Sequence, residues 1–152
     1  MGLQDRLSEL GIELPPAPKP VASYVPVVVS GSLAFVAGQG AMIDGKVVHP
    51  GRVGREVSIE QAQEAAERCA LQALAALKEE LGSLERLKRI VSVTVYVTSA
   101  PGFTNQPVVA NGASDLFVKV MGDAGRHARA AVGVSELPLG LPVEVSVVAE
   151  IG

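Results

Sequence analysis

The residues best suited to chemistry lie in the last quarter of the chain, where an arginine and a glutamate fall in two β-rich runs. Arg129 belongs to the run 127–134 and Glu144 to the run 143–151, and a loop rich in Pro and Gly (135–142) joins them. An arginine clamps a carboxylate through two parallel hydrogen bonds, and a glutamate can exchange a proton or position a water molecule. The pair therefore suits a small enzyme that binds a carboxylated substrate and handles a proton.

The two runs predict a β-hairpin. Because side chains alternate between the faces of a strand, a register that pairs 129 with 144 places Arg129 and Glu144 side by side on one face. The valines of both runs then share the other, apolar face: Val132, Val134, Val143, Val145 and Val147. An ordinary cross-strand ion pair on a solvated face explains the same spacing, so spacing alone leaves both interpretations open.

Composition limits the class of protein. The 152 residues suffice for one domain, and we expect a single domain over 1–152 in which residues 1–20 form a short helix and a proline-rich strap. With 48% hydrophobic residues the chain is apolar for its size, which favours oligomerisation as cover for part of its surface. A net charge of -3 and 3% aromatic residues disfavour nucleic acid as a partner.

Other residues that carry chemistry are few. The two histidines, His49 and His127, and the single cysteine, Cys69, are too far apart in sequence for a metal-site pattern, so we expect no metal and no cofactor. A lone cysteine excludes an internal disulfide and suits a reducing compartment. No apolar run is long enough to span a bilayer, and the N-terminus does not have the charge pattern of a signal peptide. We therefore expect a cytoplasmic protein with no membrane partner.

The remaining elements must position the candidate pair. Two β-branched runs around a glycine turn predict a first hairpin over 24–37. A capping box at Ser58 opens the strongest helix, over about 59–81. Alternating valines predict a strand over 87–98, and a weaker helix follows over about 105–121. The order ββαβαββ predicts an α+β fold, in which two helices pack on one face of a mixed sheet.

Four smaller features have alternative interpretations. The glycines of 38–40 either bring backbone N–H groups close to a ligand or serve as turn glycines. An Asp-Gly pair in the excursion 41–57 predicts a small hairpin turn. Cys69 falls in the apolar stripe of its helix, which predicts a buried thiol and not a nucleophile. His127 shares strand parity with Arg129 and could add a polar group, but we interpret it as an exposed histidine at a strand end.

Taken together, these residues resemble the Rid (YjgF) family, small trimeric proteins with a chorismate-mutase-like fold. The resemblance runs from about Tyr24 to Ile151. Its most specific part is Ala128-Arg-Ala-Ala-Val132 followed by Val143-Glu-Val145. Tyr24, Ala37-Gly-Gln39 and Asn111 match in spacing as well. The resemblance implies a chorismate-mutase-like ββαβαββ fold and a homotrimer, with its site in the cleft between subunits.

Characterised members of the family hydrolyse reactive enamines and imines, such as 2-aminoacrylate, to 2-oxo acids and ammonia. The resemblance therefore implies a deaminase whose partner is a small carboxylate-containing metabolite. It implies that Arg129 holds the substrate carboxylate and that Glu144 orients or activates the attacking water. Four further positions are implied to line the cleft, to contact the substrate or water, or to support the site: Tyr24, Gly38, Ala131 and Asn111.

The chain departs from the family pattern at three positions near the pocket. Ala37 stands where members usually have Ser, Ala131 where they have Cys, and His127 where they have Pro. The missing Ser and Cys remove polar contacts but leave Arg129 and Glu144 in place. A non-catalytic, regulatory trimer that binds small carboxylates is therefore the alternative function. Endoribonuclease or translation-inhibitor activity, a label long attached to the family, ranks lowest because the charge balance is acidic.

Overall fold

A computed structural model describes residues 2–20 and 22–152, and its main elements follow the predicted order. The strands are β1 (Val27–Ser30), β2 (Leu33–Gly40), β3 (Met42–Ile43), β4 (Lys46–Val47), β5 (Leu87–Thr98), β6 (Ala128–Val134) and β7 (Val143–Ile151). The helices are α1 (Leu3–Glu9), α2 (Ile59–Leu81) and α3 (Gln106–Met121), with short 3-10 turns at Leu84–Arg86, Gly122–Gly125 and Pro138–Gly140. Within the described residues, no helix combines the length and the apolar character that a membrane crossing requires.

Helix α2 begins and ends where its sequence signals predict. The Ser58 hydroxyl accepts from the Gln61 backbone N–H at 3.1 Å, and the Gln61 side chain accepts from the Ser58 N–H at 3.0 Å, which completes the capping box. Gly82, with φ +78°, ends the helix in the left-handed conformation that glycine adopts without strain. Cys69 lies fully buried on the sheet-facing side, and burial raises the pKa of its thiol. The prediction of a buried thiol is confirmed.

The N-terminal helix α1 is anchored by one buried side chain and by hydrogen bonds to its N-terminal backbone. Leu7 is fully buried in the core, and the Glu85 carboxylate accepts hydrogen bonds from the backbone N–H groups of Leu3 and Gln4 at 3.3 and 3.2 Å. A carboxylate at a helix N-terminus satisfies donors that the helix leaves unpaired. The strap that follows α1 packs on the core through Ile12 and Leu14.

Five strands form the main sheet in the order β1-β2-β7-β5-β6, and β3 and β4 form a separate two-stranded hairpin. All neighbours in the main sheet are antiparallel except β5 and β6, which run parallel. The helices α2 and α3 pack on one face, where the sheet contributes a buried set of valines: Val93, Val95, Val97, Val143, Val145 and Val147. The predicted α+β architecture, with helices on one face of a mixed sheet, is confirmed.

The predicted pairing of the last two strands is wrong, because β5 lies between them. Helix α3 carries the chain back after β5, so β6 pairs parallel to β5 as the second strand of a βαβ unit. The loop 135–142 then crosses the end of β5 to reach its other side. Thr98 fixes this crossing, since its N–H donates to the Pro142 carbonyl at 2.9 Å and its hydroxyl to the Leu141 carbonyl at 2.7 Å.

The registers of β6 and β7 against β5 also place the two candidate residues on different faces of the sheet. Arg129 pairs with Val93, which faces the helices, whereas Glu144 pairs with Tyr96, which faces the open side. Arg129 therefore lies on the helix-covered face and Glu144 on the open face, so the prediction that they project side by side is wrong. The valines of β6 lie on the open face as well, and Val132 is 43% exposed and does not join the core.

Candidate functional site

The Arg129 guanidinium is held against helix α3 by neutral side chains. Its Nη1 donates to Asn111 Oδ1 at 2.8 Å and to Ser114 Oγ at 3.2 Å. Asn111 and Ser114 are three residues apart, a spacing that puts both on one side of a helix. None of the ion pairs within the described residues involves Arg129, so its positive charge is not neutralised by a carboxylate of the same chain.

His127 joins this group through Ser114. Its Nε2 lies 2.8 Å from Ser114 Oγ, its Nδ1 lies 2.6 Å from the Gly125 carbonyl oxygen, and its ring packs edge-on against Phe117 at 5.9 Å between centroids. Partial burial, with the nearby Arg129 charge as a smaller contribution, lowers the pKa of His127 and favours the neutral ring. The interpretation of His127 as an exposed strand-end histidine is therefore wrong. We call Asn111, Ser114, His127 and Arg129 the arginine cluster.

Glu144 lies across the sheet from that cluster, in a space that Gly38 keeps open. A Cβ atom built on Gly38 would clash with the Glu144 carboxylate, so only glycine permits this close approach. The register between β2 and β7 shifts between Val36 and Gln39, and this irregularity brings Gly38 next to the carboxylate. Within the described residues Glu144 takes part in no ion pair.

A cavity of about 430 Å³ adjoins Gly38 and contains Tyr24, which is more than half exposed. Its wall also includes Arg68 and Gln72 of α2, the tip of the β3–β4 hairpin, and the strap residues Pro16, Pro18 and Lys19. The hairpin turn is the one predicted from the Asp-Gly pair, with positive φ at both residues. Glu144 does not itself line this cavity but lies against Gly38, which does. We call Tyr24, Gly38, Glu144 and this cavity the glutamate cleft.

Gln72 is a wall residue of the glutamate cleft that sequence reasoning missed. It is 8% exposed on the apolar side of α2, where its amide donates to the Gly40 carbonyl at 2.8 Å and accepts from the Met42 N–H at 3.0 Å. Those bonds fix the chain at the end of β2. A glutamine in an otherwise alanine- and leucine-rich stripe was the available signal, because a buried amide needs partners.

The sequence-predicted site residues thus divide into two groups within one chain. Asn111 and Ala131 accompany Arg129 on the helix side, because Ala131 pairs with the buried Val95. Gly38 lies against Glu144, and Tyr24 lines the cavity next to Gly38. Arg129 and Glu144 are two strands apart across the sheet and are offset by three residues along it, so their Cα atoms lie about 14 Å apart. One copy of the chain therefore does not bring the arginine and the glutamate together.

The family model that matches residues 4–151 is described as YjgF/chorismate mutase-like, putative endoribonuclease. The chain belongs to this family. The resemblance read from the Arg129 and Glu144 motifs is confirmed by this match, which covers nearly the whole chain. The family description names a fold and an activity class but assigns no role to individual residues of this chain.

Several known proteins are similar to this YjgF-like chain over almost its full length. Protein TCP17 of Trypanosoma cruzi is 45% identical over 95% of this chain and 91% of its own. Atu1372 of Agrobacterium tumefaciens, a protein of unknown function, is 45% identical with a TM-score of 0.91, covering 99% of this chain and 92% of its own. A Shewanella oneidensis protein described as a putative endoribonuclease is 29% identical, with a TM-score of 0.94 and coverage of 99% and 100%.

Proposed function

We propose that this protein is an enamine/imine deaminase, which hydrolyses 2-imino and 2-enamino acids to 2-oxo acids and ammonia. Arg129 holds the substrate carboxylate, and Glu144 activates the attacking water. The observation that carries this proposal is the state of Arg129, whose guanidinium is fixed by neutral acceptors and keeps its full charge for an incoming anion. A fixed guanidinium binds a carboxylate through two parallel hydrogen bonds.

The proposed site is completed between two copies of the chain. Arg129 and Glu144 lie on opposite faces of the sheet, so the arginine cluster of one copy has to meet the glutamate cleft of another. The open face supports an assembly, because it carries apolar side chains that are 43–52% exposed: Val28, Phe35 and Val132. We propose the homotrimer that the family resemblance implies, with the open faces turned inward.

The reaction needs one proton acceptor and one bound water. Glu144, as a carboxylate, takes a proton from water while the water oxygen bonds to C2 of the imine, and it then returns this proton to the imine nitrogen to give a carbinolamine. Glu144 next passes the C2 hydroxyl proton to the amino group, and the C–N bond breaks to leave ammonia and the carbonyl of the 2-oxo acid. An enamine first gains a proton at C3 and loses one from nitrogen to become the imine. Arg129 keeps the carboxylate fixed through each step.

A coupled assay tests the proposal. An amino-acid oxidase supplies imines of several amino acids, and ammonia release is followed with and without the protein. We expect the protein to accelerate ammonia release, and we expect Arg129→Ala to remove that acceleration while the assembly persists. An Arg129→Ala variant with full acceleration would contradict the role of Arg129.

Carboxylate binding without catalysis is the second candidate function. It is favoured by Ala37 and Ala131, which put methyl groups where polar side chains are usual in the family. In that case no imine is hydrolysed faster, yet a 2-oxo acid binds the wild-type protein and not Arg129→Ala. Acceleration of ammonia release with any imine excludes this candidate.

A further inference from the structure

We propose that Ser114 and His127 are positioning residues, which fix the Arg129 guanidinium so that its Nε–Nη2 edge is presented to the carboxylate of the substrate. The inference rests on the proposed role of Arg129 as the carboxylate site. It concerns two residues that act through Arg129 and do not themselves touch the substrate. Its basis is a chain of hydrogen bonds whose directions follow from which atoms can donate.

The chain of hydrogen bonds starts at a carbonyl that can only accept. Nδ1 of His127 lies 2.6 Å from the Gly125 carbonyl oxygen, so Nδ1 carries the proton of the neutral ring. Nε2 is then an acceptor, and the Ser114 hydroxyl donates a hydrogen bond to it at 2.8 Å. The Ser114 oxygen consequently turns its lone pairs toward Arg129 and accepts from Nη1 at 3.2 Å.

These hydrogen bonds determine which edge of the Arg129 guanidinium remains free to bind a ligand. Nη1 has two hydrogens, and Asn111 and Ser114 provide one acceptor for each. The remaining hydrogens are on Nε and Nη2, which are side by side and match the spacing of two carboxylate oxygens. Because Nη1 alone attaches Arg129 to α3, both Nε and Nη2 remain available for two parallel hydrogen bonds to a carboxylate.

The first acceptor in this series of hydrogen bonds, the Gly125 carbonyl, is itself held rigidly. Gly125 is buried at the end of the 3-10 turn Gly122–Gly125, and a Cβ atom there would clash with the backbone of Phe117. The Phe117 ring in turn packs against the edge of His127. The carbonyl, the imidazole and the hydroxyl are thus fixed before any ligand arrives. Fixing a long side chain in advance removes an ordering cost from binding.

The test measures binding of 2-oxobutanoate, a small 2-oxo acid, to the full-length protein by calorimetry at pH 8. We expect Ser114→Ala to raise the Kd by about tenfold and His127→Ala by about threefold, since each removes a hydrogen bond that supports a charged group. Because His127 acts through Ser114, we expect the double variant to bind as Ser114→Ala does. His127→Gln retains an acceptor for the hydroxyl and should bind like the wild type.

His49→Gln is the matched control, because His49 pairs with Glu64 in an exposed position outside the arginine cluster. We expect no change in its Kd. Where imine hydrolysis is measurable, the Ser114 and His127 variants should raise KM and leave kcat unchanged. An unchanged Kd in Ser114→Ala, or additive losses in the double variant, would overturn the inference.

A readout without ligand separates this inference from the proposed function. In nitrogen-15 NMR spectra of the free protein, the Nη1 hydrogens of Arg129 should give a resolved, slowly rotating signal that Ser114→Ala abolishes. If 2-oxobutanoate binds Arg129→Ala as well as the wild type, the proposed function fails and the NMR result alone decides the inference. A signal that Ser114→Ala leaves unchanged overturns it.

Discussion

Arg129 of the arginine cluster and Glu144 of the glutamate cleft lie on opposite faces of one sheet, and their surroundings are built in different ways. Side chains of α3 surround the Arg129 guanidinium with neutral acceptors, whereas the Glu144 carboxylate is accommodated because Gly38 has no side chain. The first arrangement fixes a charge in place, and the second lets a carboxylate lie directly against the backbone of a neighbouring strand. In the proposed reaction, Arg129, which binds the substrate, is therefore preorganised by hydrogen bonds. Glu144, which handles the proton, is accommodated by the missing side chain of Gly38.

The largest expected effect tests whether the two halves come from different copies. Arg129→Ala and Glu144→Gln should each lower kcat/KM for imine hydrolysis by about a hundredfold or more. Mixed assemblies of the two variants should regain activity, because about a quarter of the sites then combine an intact arginine with an intact glutamate. The measurement is ammonia release after the variants are unfolded together and refolded. No recovery in a mixture that forms normal assemblies would show that one copy supplies both residues.

A smaller effect tests whether Gly38 serves to leave room for the Glu144 side chain. Gly38→Ala places a methyl group against the Glu144 carboxylate, whose flexible side chain can move aside at little cost in stability. We expect kcat to fall by about tenfold to a hundredfold, since a displaced proton acceptor loses alignment with the water. The change should be visible in steady-state kinetics, while the urea midpoint of unfolding stays near the wild-type value.

Gly112→Ala is the matched comparison on the other side of the sheet. Its added methyl group meets the backbone carbonyl of Gln63 in α2, which cannot move as a side chain does. This variant should lose about 1–3 kcal/mol of unfolding free energy from overpacking. If Gly38→Ala is destabilised as much as Gly112→Ala, the account of Gly38 as a spacer for one side chain is wrong.

The smallest expected effect is the pH dependence of stability from His127. Burial lowers its pKa below the ordinary value, so the unfolded chain binds more protons than the folded one between these two pKa values. The free energy of unfolding should therefore fall as the pH drops through about 6.5 toward the lower folded pKa. The charged residues that line the same cavity as this histidine are Asp115, Arg126 and Arg129.

Urea denaturation at pH 8 and pH 5 measures this contribution. The difference in stability between the two pH values should be smaller in His127→Gln than in the wild type. An equal difference in both proteins would mean that His127 titrates alike in the folded and unfolded chains.

Local sequence signals predicted the elements well and their neighbours less well. The capping box at Ser58 and the glycine at Gly82 gave the limits of α2, and valine alternation gave β5 and β7. Alternation in β6 defines two faces but does not say which one meets the helices. Small residues on one face (Ala131, Gly133) fit closely under α3, and the larger valines point to the open side. Only the position of β5 decides this, and that position depends on contacts distant in sequence.

The same limit applies to the candidate site. The motif resemblance predicted Arg129, Glu144, Asn111 and Gly38, and the structure brings them into two groups instead of one. Ser114 was missed because a serine in the middle of a helix carries no signal of its own. Its importance follows from how α3 lies across β6, where the hydroxyl is between His127 and Arg129.

The place of β7 in the middle of the sheet has a consequence for biosynthesis. This strand joins β2 on one side and β5 on the other, yet it is translated after both of them. Until residues 143–151 leave the ribosome, the nascent chain holds two separate pairs of strands with exposed backbone edges between them. A ribosome that stalls or terminates before these residues releases a chain without the strand that unites its halves, and quality-control proteases would be expected to remove it.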